Sequence, residues 1–134
     1  AAGGAIDFWR IALRPGKPMM AGRLGAALVL GLPGNPVSAF VTAILFVRPV
    51  VARLAGAADP LPRTATGVLG EDLPPNGPRT DYLRAARRDG RLWSAAIQDS
   101  SMLRTLARSD CLIVREAHAP AARAGDSAEF LDIG

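Results

Sequence analysis

The segment Gly31-Leu32-Pro33-Gly34-Asn35-Pro36-Val37-Ser38-Ala39 constrains the fold of this chain more than any other. Ahead of it, Ala27 to Leu32 (ALVLGL) is an apolar run without alternation, as expected of a strand covered on both faces. Behind it, Val37, Phe40, Val41, Ile44, Val47, Val51 and Leu54 recur at three- and four-residue spacing and predict a helix with one buried stripe. Asn35 can cap that helix, and Pro36 fits its first position, where no amide hydrogen is needed. The amides of Val37 and Ser38 are then expected to be free at the positive end of the helix dipole. Strand, tight turn and helix start together make a candidate anion site, held rigid by Pro33 and Pro36. A capped turn that binds nothing carries the same pattern. Pro49 must kink the helix or begin a second one, and Gly56 is its expected stop.

Shorter elements surround this unit. Phe8 to Leu13 is β-rich and runs into the turn Arg14-Pro15-Gly16-Lys17-Pro18, and Pro18 to Leu24 reads as a second strand turning at Gly25. Ala57 to Pro62 (AADPLP) reads as a linker between residues 1–57 and 63–134. Beyond it, strands are expected over Thr64–Gly70, Thr80–Ala86, Arg91–Ile97, Cys111–Arg115 and Ser127–Ile133. They are separated by turns at Pro74-Pro75-Asn76-Gly77, Asp89-Gly90 and Gly125-Asp126. Ser101 to Arg108 fits one short helix capped by Ser100 or Ser101. The class is α/β, with a small barrel or sandwich in the second part.

Composition removes several function classes. Of 134 residues, 49% are hydrophobic and 21% charged, which disfavours disorder. A single cysteine, Cys111, excludes a disulfide framework and a cysteine-based zinc site. The longest apolar stretch, Ala39 to Val47, is closed by Arg48 and is shorter than the ~20 residues of a membrane span. With no secretion signal visible, a cytoplasmic protein without membrane contact is expected. Fifteen of the sixteen basic residues are Arg, and Lys17 is the one Lys. Residues 1–58 carry +5 and residues 59–134 carry −1, so the whole excess of +4 lies in the first part. That suits a local anion site better than a nucleic-acid surface, which needs a broad basic stripe.

The turn Arg14-Pro15-Gly16-Lys17-Pro18 presents two cations on a restricted backbone; the alternative is an ordinary solvated turn. In the second part, Arg79, Asp81 and Arg84 are expected to share one strand face. Gln98-Asp99-Ser100-Ser101 offers hydroxyls and helix-start amides, and either group could close over an anion held by the first part. Solvation is expected for Asp81 and Asp99, a loop for His118, and packing roles for Cys111, Met19, Met20 and Trp93. No phosphate loop or dinucleotide fingerprint is present.

The order Phe8-Trp9, Arg14-Pro15-Gly16-Lys17-Pro18, Gly31 to Ala39 and Arg48-Pro49 closely resembles the molybdopterin molybdenumtransferase family, which includes the E domain of gephyrin. Arg79-Thr80-Asp81-Tyr82, Gln98 to Leu103 and Gly125-Asp126 extend the resemblance through the second part, onto the last third or so of the family's length.

The resemblance implies insertion of molybdate into adenylylated molybdopterin, with release of AMP and use of magnesium. It implies the end of a three-layer domain similar to the molybdopterin adenylyltransferases over 1–57, then a small β-barrel-like domain over 63–134. Carried over by position, Lys17 would be catalytic, meeting the nucleotide or the molybdate. Arg14, Pro33, Gly34, Asn35, Pro36 and Ser38 would bind substrate, with Arg79 and Ser100 reaching the cleft from the second part. Arg14 stands where many members have Lys, and Asp99 where glycine is frequent. The family's Gly-Gly-x-Ser-x-Gly-Asp segment, its magnesium ligands and the domains that build its homodimer would precede Ala1. The chain is accordingly expected to be a C-terminal fragment, inactive alone. A non-catalytic binding or scaffolding module of the same fold is the alternative.

Overall fold

A computed structural model describes residues 4–8, 13–15, 19–96, 98 and 103–134. Before the linker lie strands β1 (Gly4–Phe8), β2 (Leu13–Arg14), β3 (Met20–Leu24) and β4 (Ala27–Gly31). They are followed by helix α1 (Pro36–Thr42), a π-helical stretch (Ala43–Val47) and helix α2 (Arg48–Leu54). After it come β5 (Thr64–Val68), β6 (Thr80–Arg88), β7 (Arg91–Ser94), α3 (Leu103–Ala107), β8 (Cys111–Arg115) and β9 (Ser127–Asp132). The expected strands of the second part are all present, β8 at its expected bounds and the others shortened or extended at their ends. The fold is mixed α/β and mostly sheet.

β1, β3 and β4 form a three-stranded antiparallel sheet in that order. Gly25 turns the β3–β4 hairpin at φ +60°, a conformation that costs glycine little. The expectation that this apolar run is covered on both faces fails: β4 leaves Leu28 47% and Val29 40% exposed. Among the described strands it is the edge of a small sheet, paired only with β3.

The helical pattern is realised as one 19-residue run, Pro36–Leu54. Pro49 stands in the first turn of α2, as the expectation of a second helix has it, and α2 follows the preceding turns without a break. The wider π turn, in which the Arg48 amide donates to the Ala43 carbonyl, absorbs the register change just before the proline. The run ends as predicted: Gly56 adopts φ +92°, its amide donating to Arg53 O at 3.0 Å and that of Ala57 to Ala52 O at 2.9 Å. By length and composition alone, the run could cross a membrane. Here its first turns lie on the protein core. Val37 and Val41 are fully buried, but the expected stripe does not continue, since Val51 is 58% and Leu54 79% exposed. The helix reaches the larger sheet through Val41, which packs with Leu112 and Leu131, and through Leu45, and Pro49 is buried further along.

That sheet runs β2-β6-β8-β9-β5, with β7 also on β6. β8 takes one edge of β6; β2 and β7 share the other, at its beginning and its end. Asp89 (φ 52°) and Gly90 (φ 71°) make the two-residue β6–β7 turn. One face carries a core of Leu69, Leu73, Ala85, Leu92, Cys111, Ile113 and Phe130. The other carries Leu112 and Leu131 beneath the helix, with Tyr82 and Val114 alongside. The second part therefore packs its sheet against the first, and β2, from before the linker, is one of its strands. The sheet curls until Leu69 bridges Leu92. A single bridge is not a ladder, so no closed barrel forms among the described residues.

Candidate functional site

The Pro/Gly turn follows β4, and the β3–β4 hairpin sets the start of β3 beside it. Met20 at the start of β3 is the register partner of Gly31 at the end of β4. The contact is close: a Cβ on Gly31 would stand 2.6 Å from Met20 Cγ. Lys17, Gly16 and Pro18 lie outside the described residues, as do Asp99, Ser100 and Ser101.

Arg14 is placed by β2, whose register sets Leu13 against Thr80 and Arg14 against Asp81 in a parallel pair. The side chains repeat that pairing. Arg14 Nε donates to Asp81 Oδ1 at 3.0 Å and Nη2 to Oδ2 at 2.5 Å, a two-pronged ion pair. Hydrogen bonding to Asp81 pushes the Arg14 pKa up, against the opposing effect of burial. The solvation expected for Asp81 is thus overturned: the residue is 4% exposed. A carboxylate that far from water needs a cation or several donors, which sequence alone did not supply. Asp81 is the site residue missed in the sequence. The only signal for it was a lone carboxylate near the start of a strand that carries three arginines.

Arg79 flanks this pair at the start of β6, its backbone carbonyl accepting from Asn76 Nδ2 at 2.8 Å. The same Asn76 nitrogen reaches Arg115 O at 2.9 Å and Glu116 O at 2.7 Å, tying the loop before β6 to the end of β8. Arg84 does not join Arg79 and Asp81 on their face. The uninterrupted β6–β8 register, Asp81↔Arg115 through Ala85↔Cys111, separates Asp81 from Arg84 by an odd number of residues. The Arg84 backbone is instead completed by Gln98. The Gln98 side chain accepts from Arg84 N at 3.0 Å and donates to Arg84 O at 2.9 Å, filling the β6 edge between β2 and β7.

At the helix start, Asn35 caps as expected, and this changes the reading of the turn. Its Oδ1 accepts from Val37 N at 3.0 Å and from Ser38 N at 3.3 Å, while its carbonyl accepts from Ala39 N at 2.8 Å. The two amides expected to be free for an anion are therefore occupied. Pro36 has none to offer, so the first turn is closed by its own cap. Pro33 is buried, Gly34 and Pro36 are exposed, and Ser38 is buried at 6%. No atom lies within 4 Å of the position where a Cβ on Gly34 would sit, so this turn presents an open, preformed surface.

Among the described residues, no three His, Cys, Asp or Glu side chains cluster as metal ligands. Asp81 is already engaged by Arg14. These residues do not fit a magnesium ion.

A curled, open sheet with a helix on one face is a fold shared with solved proteins of molybdenum cofactor synthesis. The structure is similar to the molybdenum cofactor biosynthesis protein from Pyrococcus furiosus, with TM-score 0.81, 26% identity, and coverage of 96% of this chain and 45% of that one. It has the fold of the molybdopterin biosynthesis moeA protein from Pyrococcus horikoshii, with TM-score 0.82, 21% identity, and coverage of 96% and 32%. In sequence it is 34% identical over 130 residues to the molybdopterin molybdenumtransferase of Haemophilus influenzae, covering 92% of this chain. It is 32% identical over 110 residues to molybdopterin molybdenumtransferase 2 of Mycobacterium tuberculosis, covering 81% of this chain. The chain spans 32% and 27% of the lengths of these two relatives. Residues 66–133 match the family MoeA C-terminal region (domain IV). The chain belongs to the MoeA family.

Proposed function

We propose that this chain forms one wall of the site at which a molybdopterin molybdenumtransferase inserts molybdate into adenylylated molybdopterin and releases AMP. The observation that carries this reading is the similarity, across 92% of the chain, to a relative bearing that name. The hairpin register supports it: Met20, three residues after Lys17 in sequence, pairs with Gly31 at the start of the Pro/Gly segment.

In this reading Lys17 meets the phosphate of the nucleotide or the molybdate as a compact point charge. Arg14 uses Nε and Nη2 on Asp81 and turns its remaining Nη1 edge toward the ligand. Arg79 adds a second guanidinium from the start of β6, and Ser100 a hydroxyl. Pro33, Gly34 and Pro36 form a rigid surface that needs no reordering when ligand arrives, with Asn35 and Ser38 holding its shape. Fixed cations of this kind favour a departing phosphate without reorganising during the reaction. No step is assigned to magnesium, for which the described residues provide no ligands.

The test is calorimetric titration of the folded chain with AMP, with and without molybdate, beside a Lys17→Ala variant. Saturable binding, weakened about tenfold or roughly 1.4 kcal/mol in the variant, is expected. Equal affinity in wild type and variant overturns the role of Lys17, and no binding by the folded chain overturns the site.

A further inference from the structure

Asp81 combines two properties that rarely coincide by accident. Its side chain is withdrawn from water, 6% exposed, while its partner Arg14 remains 55% exposed. The residues that pair through side chains are also register partners through their backbones. The two-pronged ion pair fixes the direction of the guanidinium and joins β2 to β6 beside their backbone pairing. Immediately beyond Arg14 the chain continues into Pro15-Gly16-Lys17.

We propose that Asp81 is a positioning residue: acting only through Arg14, it holds that guanidinium in the orientation that binds an anionic ligand. This rests on the reading above that the turn meets a phosphate or molybdate. It has a consequence of unusual sign. Judged by charge alone, a carboxylate beside an anion site repels the ligand, so neutralising it should tighten binding. Judged by position, neutralising it releases Arg14 and weakens binding.

The experiment is calorimetric titration of the chain with AMP as the probe, for wild type, Asp81→Asn, Arg14→Lys and the double variant. Asp81→Asn is expected to weaken AMP binding about tenfold, the loss of a charge-assisted two-pronged contact. Arg14→Lys keeps the charge but loses the planar fork, and is expected to weaken binding by a similar factor. The double variant is expected to be no weaker than either single one, because both act on the same contact. Unchanged or tighter binding by folded Asp81→Asn, or losses that add in the double variant, overturn the proposal. If Asp81→Asn does not fold, Arg14→Lys decides, and wild-type affinity there overturns it.

Hydrogen exchange gives a readout independent of the ligand, so failure of the proposal and failure of the functional reading are distinguishable. Asp81→Asn, or Arg14→Lys in its place, is expected to accelerate exchange at the β2 amides while those of β8 remain as in wild type. Should wild type bind no AMP, the functional reading fails, and faster exchange at β2 still supports the clamp. Unchanged exchange at β2 overturns it.

Discussion

The indole of Trp93 occupies the space in which a side chain on Gly70 would begin. A Cβ there would stand 2.3 Å from Cε2 and 2.5 Å from Cζ2 of the ring. The ring is held from other directions too, with the Arg88 guanidinium 5.5 Å from its centroid and Trp93 Nε1 donating to Arg88 O at 3.3 Å. Gly70 in turn donates its amide to Leu92 O at 2.8 Å, so neither backbone is free to withdraw. Gly70→Ala is expected to destabilise the chain by about 1–3 kcal/mol, the range for overpacking. Urea denaturation checks it, and a wild-type midpoint would show that the indole moves aside without cost.

Asn35 supplies one oxygen to two helix-start amides. Asn35→Ala leaves both without their acceptor and is expected to cost about 1 kcal/mol. Asn35→Asp keeps the acceptor and places a negative charge at the positive end of the helix, so it is expected to match or exceed wild type. Thermal midpoints of the two variants distinguish a cap from a residue whose side chain is needed only by a ligand.

Gly34 separates structure from binding at the same turn. With open space around its Cα and no left-handed backbone angle, Gly34→Ala is expected to leave stability within about 0.5 kcal/mol of wild type. A loss of AMP affinity at unchanged stability would then report close approach of the ligand to this surface.

Leu112 is fully buried between the helix and the sheet, against Val41 and Leu131, whereas Leu54 near the helix end is 79% exposed. Leu112→Ala is expected to cost about 2–5 kcal/mol through lost contacts and the cavity left behind. Leu54→Ala is expected to change stability by no more than about 0.5 kcal/mol. Equal effects in chemical denaturation would contradict the finding that the helix is packed on the sheet but exposed at its end.

Burial pushes the Cys111 thiol up from 9.0 to about 12, with the neighbouring Asp110 acting in the same direction. Because the folded value is the higher one, the folded state holds this proton more tightly than the unfolded state. The stabilisation is complete below the unfolded pKa and is lost as pH rises through the window from 9.0 to about 12. Stability measured across that window should fall less steeply in Cys111→Ala than in wild type. At pH 8 the native thiol is expected to resist alkylation until the chain unfolds, since the thiolate is the reactive form.

The sequence by itself determined the local elements. Asn35-Pro36 marks a helix start, Gly56 a helix stop, and Asp89-Gly90 a hairpin turn, because each requirement is met within a few residues. β8 coincides with its predicted span for the same reason: Cys111 to Arg115 is short, apolar and bounded by turn residues. What required distance along the chain was decided only in three dimensions. The helix carries one apolar stripe throughout, yet which part is buried depends on how far the sheet beneath it extends, and that sheet comes from residues beyond the linker. The apolar run of β4 does not reveal that it ends as an exposed edge. Asp81 reads as a solvated carboxylate until a strand 67 positions away brings Arg14 to it. Periodicity and turn chemistry are properties of neighbours in sequence; burial and ion pairing depend on which distant surface arrives opposite.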